Sequence, residues 1–168
     1  MSITHAKVST YADGSDTSVI RPSDWNAIHT LSGITGCLLS NTAVQTIPTS
    51  TVISASSFSE MYDYGDFFSS TANDRIVIPS GTNFVTLTAQ TKWGNESTAG
   101  LRYATIFKNG ISVAGLPTDR RKFCDETEQS ITSCPISVSP GDYFNLKLFQ
   151  DSGINITCWF SMSALKVG

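Results

Sequence analysis

The sequence predicts an all-β sandwich, and three observations carry that prediction. Ser and Thr number 24 and 20 among 168 residues, whereas Glu and Lys number only 4 and 6. Strands draw on Thr, Val, Ile and aromatics and helices on Glu, Lys, Ala and Leu, so this balance favours strands joined by many turns. Short apolar runs recur at close spacing, each bounded by Gly, Pro, Asn or Asp. The clearest run, Phe84–Trp93, alternates with period two and places Val85, Leu87 and Ala89 on one face. About eight to ten such strands and no convincing helix predict a sandwich or jelly roll rather than a fold with a parallel sheet.

Taken in order, residues 1–31 read as a polar arm with few apolar positions, too few to bury a core of their own. Such a segment is disordered or folds onto something else, and the second is expected here. Ser23 or Asp24 is placed to cap one helical turn running toward His29. Residues 32–49 read as a transition, with Gly33 and Gly36 ahead of Cys37-Leu38-Leu39, and residues 50–168 as the globular part. Its first strand is expected around Val52-Ile53, followed by Arg75–Ile78, which Pro79-Ser80-Gly81 closes. Tyr103–Lys108 runs into Asn109-Gly110, the strongest two-residue hairpin signal, with Ile111–Ala114 as the return strand. Gln129–Val138, a Pro140-Gly141-Asp142 turn, Tyr143–Phe149 and Ile154–Leu165 complete the series. Trp93 is placed to cap the core, and Arg102 to pair with Asp63 or Asp66.

Composition also narrows the function. Charged residues make up 15% of the chain, the net charge is −3, and the longest basic cluster is Asp119-Arg120-Arg121-Lys122. Counterion release needs a larger basic face, so nucleic acid is not an expected partner. No apolar run reaches the ~18 residues of a membrane span, and MSITHAKVST lacks a signal-peptide core. A soluble protein, outside the membrane and not exported by the Sec route, is expected. Cys37, Cys124, Cys134 and Cys158 form no CxxC pair beside a His, which argues against zinc. Cys124 and Cys134 bracket DETEQSITS and would join as a disulfide if that stretch closed a hairpin; free thiols are the competing reading.

Catalytic constellations do not assemble in the sequence. Both histidines, His5 and His29, lie in the arm, and no G-x-S-x-G elbow is present. Asp63 and Asp66, and Asp125, Glu126 and Glu128, are local acidic clusters rather than carboxylates facing one another across a cleft. A calcium site from Asp63, Asp66 and Asp74 lacks EF-hand spacing. No catalytic residue, metal or cofactor is expected. Met61–Phe68 mixes four aromatics with acids and a Gly, so it is either a carbohydrate platform or a set of core and subunit contacts.

Tyr62-Asp63, Arg75–Pro79 with Gly81, Trp93 before Gly100-Leu101-Arg102, Ile106–Gly110, Gly141-Asp142-Tyr143 and Phe160-Ser161-Met162 follow one another in order. The series resembles the complement C1q/TNF-like jelly rolls, among them versions in bacteriophage structural proteins. His5–Val8, Ala12-Asp13-Gly14, Asp16–Ser18, Arg21–Asn26 and His29-Thr30 are similar to N-terminal segments of tailed-phage virion proteins. Leu116–Cys134 matches no motif of the family. The resemblance implies a homotrimer with aromatics around the threefold axis, the candidates being Tyr103, Phe107, Tyr143, Phe149 and Phe160. It also implies an attachment arm in which Val8, Tyr11, Ile20 and Trp25 are apolar anchors while Arg21 and Asp24 fix orientation. The expected role is a non-enzymatic virion protein, a capsid decoration or short head fibre, whose partners are capsid, collar or fibre proteins. The alternative is a tail-fibre tip that recognises a host surface glycan.

Overall fold

A computed structural model of the chain describes residues 2–3, 15, 29–30, 33–94, 100–112, 116, 118–123 and 127–168. The chain divides into two units, 1–34 and 35–168. In the first, β1 (Ser2–Ile3) pairs antiparallel with β2 (His29–Thr30), Ser2 opposite Thr30 and Ile3 opposite His29. His29 therefore belongs to a strand instead of ending a helical turn. Val8, Tyr11, Ile20, Arg21, Asp24 and Trp25 lie outside the described residues.

The second unit contains β3 (Gly36–Asn41), β4 (Gln45–Ile47), β5 (Ile53–Ser54), β6 (Phe58–Tyr64), β7 (Ile76–Val77), β8 (Phe84–Trp93) and β9 (Gly100–Lys108). It continues through β10 (Thr118–Phe123), β11 (Thr127–Thr132), β12 (Ile136–Ser137), β13 (Tyr143–Gln150) and β14 (Ile156–Lys166). Five strands form one sheet in the order β10-β9-β13-β5, with β7 also on β13. Seven form the other in the order β11-β8-β14-β3-β6, with β12 on β8 and β4 on β14. The strand pairs are antiparallel, and the architecture is the jelly-roll sandwich that the composition and turn spacing predict.

The alternation read from the sequence sets which side chains enter the core. Val85, Leu87, Ala89 and Trp93 of β8 face Cys158, Phe160, Met162 and Ala164 of β14 across the sheet, all buried. Ala104, Ile106, Phe144, Leu146 and Leu148 oppose them from the five-stranded sheet. At ~25 cal/mol per Å² of apolar area, this contiguous layer is the main stabilising element. Trp93 donates its Nε1–H to Gln129 Oε1 at 2.7 Å, and Thr91 Oγ1 donates to the same oxygen at 3.2 Å. Gln129 Nε2 donates to the carbonyls of Arg102 and Asp119, at 3.3 and 3.1 Å. One buried amide thus joins β11 and β8 of one sheet to β9 and β10 of the other.

Four expectations are corrected. Residues 36–47, read as a transition, supply β3 and β4, because Cys37 and Leu39 alternate into the core and Gly36 must stay bare beside β14. A Cβ on Gly36 would run into the Ala164 carbonyl oxygen. Asn109-Gly110 does form a primed turn, with φ of 53° and 78°. Among the described residues, however, its return side meets β9 only at the Lys108–Ile111 bridge, and β9 pairs with β10 and β13; Val113 and Ala114 lie outside the described residues. DETEQSITS closes no hairpin: six of its residues are the single extended strand β11, about 17 Å long. Cys134 beyond that strand is a free, exposed thiol, and Cys124 lies outside the described residues. Lastly, Arg102 is wholly buried on the inward face of β9. Asp63, its expected partner, accepts the Phe67 and Phe68 backbone N–H groups at 3.1 and 2.9 Å.

Asp142 locks the Asn109 turn to the next hairpin. Its carboxylate accepts from Asn109 Nδ2 at 2.8 Å, the Ser139 N–H at 2.9 Å and Lys108 Nζ at 2.7 Å. Burial pushes the carboxyl up, but hydrogen bonds from Asn109, Lys108 and Ser139 and the Lys108 charge outweigh it, leaving a pKa of about 2. The folded value lies below the unfolded one. The stabilisation is therefore present above about pH 4 and disappears as pH falls toward 2. Between those limits the wild type is expected to lose about 1–2 kcal/mol more than Asp142→Asn, read from urea titrations at each pH. Equal losses in both proteins would remove Asp142 from the acid response.

Candidate interaction faces

Two outward faces, one per sheet, gather the side chains that the core leaves uncovered. On the seven-stranded sheet the register sets Tyr64, Gly36, Leu165 and Thr86 in one row and Tyr62, Leu38, Ser163 and Thr88 in the next. Tyr62 and Tyr64 stack at 5.6 Å, Tyr64 is 65% exposed and Leu165 is 45% exposed. Phe84, also half-exposed, lies diagonal to Leu165, within reach of the same patch. Gly36 places no side chain between Tyr64 and Leu165, and one end of this face is apolar.

The other end of that face is a groove of about 440 Å³ lined by Ser40, Gln90, Lys92, Glu128, Trp159 and Ser161. Trp159 is half-exposed, and Lys92 and Glu128 approach to 3.6 Å. A groove that mixes an uncovered indole with hydroxyl, amide and charged groups suits a polar surface that carries some apolar area.

Four of the five expected axis aromatics lie together, though on the other sheet. Tyr103 and Phe107 point outward from β9, and Tyr143 and Phe149 outward from β13. Tyr103 opposes Phe149, and their rings stack at 5.0 Å and 20°. Arg120 stands over Tyr103 at 5.4 Å, Lys147 over Phe107 at 5.8 Å and Arg75 over Tyr143 at 4.5 Å. Arg75 also pairs with Asp74 at 2.7 Å, and Lys147 Nζ donates to Ser54 Oγ at 2.5 Å. Each cation gains from the ring quadrupole, so a ladder of alternating rings and positive heads covers this face. Phe160 is not part of it: its ring sits in the core, edge-on to Phe58 at 5.2 Å.

The remaining chemistry is structural. Burial pushes the Cys37 thiol up to about 12 against the lowering hydrogen bond of the Ala164 backbone. Burial also raises Cys158, against the Lys92 backbone hydrogen bond and the Arg102 charge. Both buried thiols stay protonated and inert at neutral pH. Among the described residues, no three His, Cys, Asp or Glu side chains converge on a point where a metal would sit. The cation ladder had no sequence signal of its own, because its partners come from four separate segments. The parity of β9 and β13 was its only trace.

No protein family and no curated protein matches this sequence. Solved structures do. The globular domain of zebrafish complement 1qA aligns with a TM-score of 0.54 at 8% identity, over 80% of this chain and 98% of that one. Murine APRIL at pH 5.0 gives 0.57 at 10% identity, over 80% and 100%. Vertex protein P5 of the phage PRD1 gives 0.56 at 12% identity, over 82% and 100%. At these identities the likeness is one of fold, and the fold is the C1q/TNF jelly roll.

Proposed function

We propose that this chain is a non-enzymatic phage virion protein, a homotrimeric capsid decoration or short head fibre. Residues 1–31 would hold it to the particle through Val8, Tyr11, Ile20 and Trp25, with Arg21 and Asp24 fixing orientation. The observation that carries the reading is the apolar end of the seven-stranded sheet's outward face. Tyr62, Tyr64, Leu38, Leu165 and Phe84 form a patch that a second copy would cover, and the Trp159 groove beside it offers a mixed rim. This assignment takes Tyr103, Phe107, Tyr143 and Phe149 off the threefold axis, because their rings already carry cations that an axis would have to desolvate. A shared fold with PRD1 vertex protein P5 supports a structural role on a particle. The ring-and-cation face favours a second reading, recognition of a host surface glycan.

The trimer is tested by sedimentation of the purified chain. Wild type is expected to sediment as a trimer. Leu165→Glu, which sets three carboxylates into the patch, should raise the dissociation constant at least about 100-fold, near 2.8 kcal/mol. Leu165→Met should remain trimeric. A trimer of unchanged strength in Leu165→Glu would place the interface elsewhere.

A further inference from the structure

We infer that the outward face of the five-stranded sheet is a binding site for an acidic polysaccharide. The inference deepens the second reading, that of glycan recognition, by giving the site and the charge of the ligand. Three facts support it. The chain is net −3, yet among the described residues this face gathers Arg75, Lys147 and Arg120, with Asp74 paired to Arg75. Arg120 is exposed and, among the described residues, pairs with no carboxylate. The rings recur along the strands: Tyr103 with Phe149, then Phe107 four residues on, then Tyr143 beside it, about 20 Å in all.

That arrangement fits a chain of sugar rings that carry carboxylates or sulfates. The apolar C–H face of each sugar can rest on the parts of the aromatic ring faces that the cations leave uncovered. Its anionic groups take charge-assisted hydrogen bonds from Arg120 and Lys147. Single-stranded nucleic acid fits less well. Two or three positive heads neutralise few phosphates, too few for the counterion release on which nucleic-acid affinity depends. The trimer proposed above uses the opposite sheet, so three such faces would point away from the axis and act together on one polymer.

The test uses the full-length chain and four polysaccharides: alginate, polysialate and chondroitin sulfate as acidic probes, and dextran as the neutral control. A dT oligonucleotide is run alongside, and every sample is sedimented. At least one acidic probe is expected to bind, more weakly as salt rises, with dextran silent. Arg120→Glu should lower that affinity tenfold or more, and Lys147→Gln by a smaller factor, with the oligomeric state and melting temperature unchanged. Several results would overturn the proposal: no binding of any acidic probe, unchanged affinity in Arg120→Glu, equal binding of dextran, or tighter binding of the oligonucleotide. Dissociation of the oligomer by Arg120→Glu would also overturn it, making this face a subunit contact. A monomer that binds acidic probes through Arg120 would refute the trimer while leaving this site standing. Dextran binding that Arg120→Glu leaves intact would keep glycan recognition and remove this face from it.

Discussion

Gln129→Leu is expected to destabilise the jelly roll by about 3–5 kcal/mol. All four hydrogen-bonding capacities of the Gln129 amide are used, two as acceptor from Trp93 and Thr91 and two as donor to the Arg102 and Asp119 carbonyls. Leucine keeps the volume and removes all four bonds. It strands the Trp93 indole N–H in a fully buried site, at a cost of about 1–3 kcal/mol for that group alone. Because the amide spans both sheets, the loss should register as lower cooperativity as well as lower stability. Glu128→Gln, one residue away and exposed, should change stability by less than about 0.5 kcal/mol. Urea unfolding of the three proteins decides the matter. A loss below about 1 kcal/mol in Gln129→Leu would show that the sheets are joined by apolar packing alone.

Removing residues 1–31 is expected to abolish incorporation into particles while leaving residues 35–168 folded and trimeric. That unit has its own core, built from both sheets and running from Cys37 to Ala164 among the described residues. On the proposed trimer, three arms would make three modest contacts act as one strong one, so the effect on occupancy should be close to complete. Trp25→Ala, a smaller change, should weaken each arm by about 2 kcal/mol. The quantity to measure is the protein that co-purifies with particles, per capsid, alongside circular dichroism of the truncated chain. Undiminished occupancy would remove the arm from the attachment mechanism. A truncated chain that fails to fold would instead make residues 1–31 part of the domain.

The parts of this fold that could be read from the sequence are those whose physics is local. Phe84–Trp93 is a strand with the bounds its alternation gives, since both of its neighbours bury one face and leave the other wet. Asn109-Gly110 turns where only residues tolerant of positive φ can. Leu116–Cys134 was opaque for an equally physical reason. β10 and β11 are both edge strands, one on each sheet, and edge strands carry polar and charged residues against further pairing, so their alternation is weak. Arg102 misled because an Arg between apolar neighbours reads as a surface partner for an acid, whereas β9 parity turns it inward. The aromatics were recognised as a group, but their sheet was not. Only the strand order shows that Phe160 shares a sheet with Trp93 while Tyr103, Phe107, Tyr143 and Phe149 share the other.

The most direct measurement is cryo-electron microscopy, at side-chain resolution, of intact particles that carry the protein. The account predicts threefold density on the capsid, with the seven-stranded sheets facing the axis, the five-stranded sheets facing outward, and residues 1–31 seated in a groove of a capsid protein. Density confined to the distal tip of a tail fibre, or particles that lack the protein altogether, would contradict it.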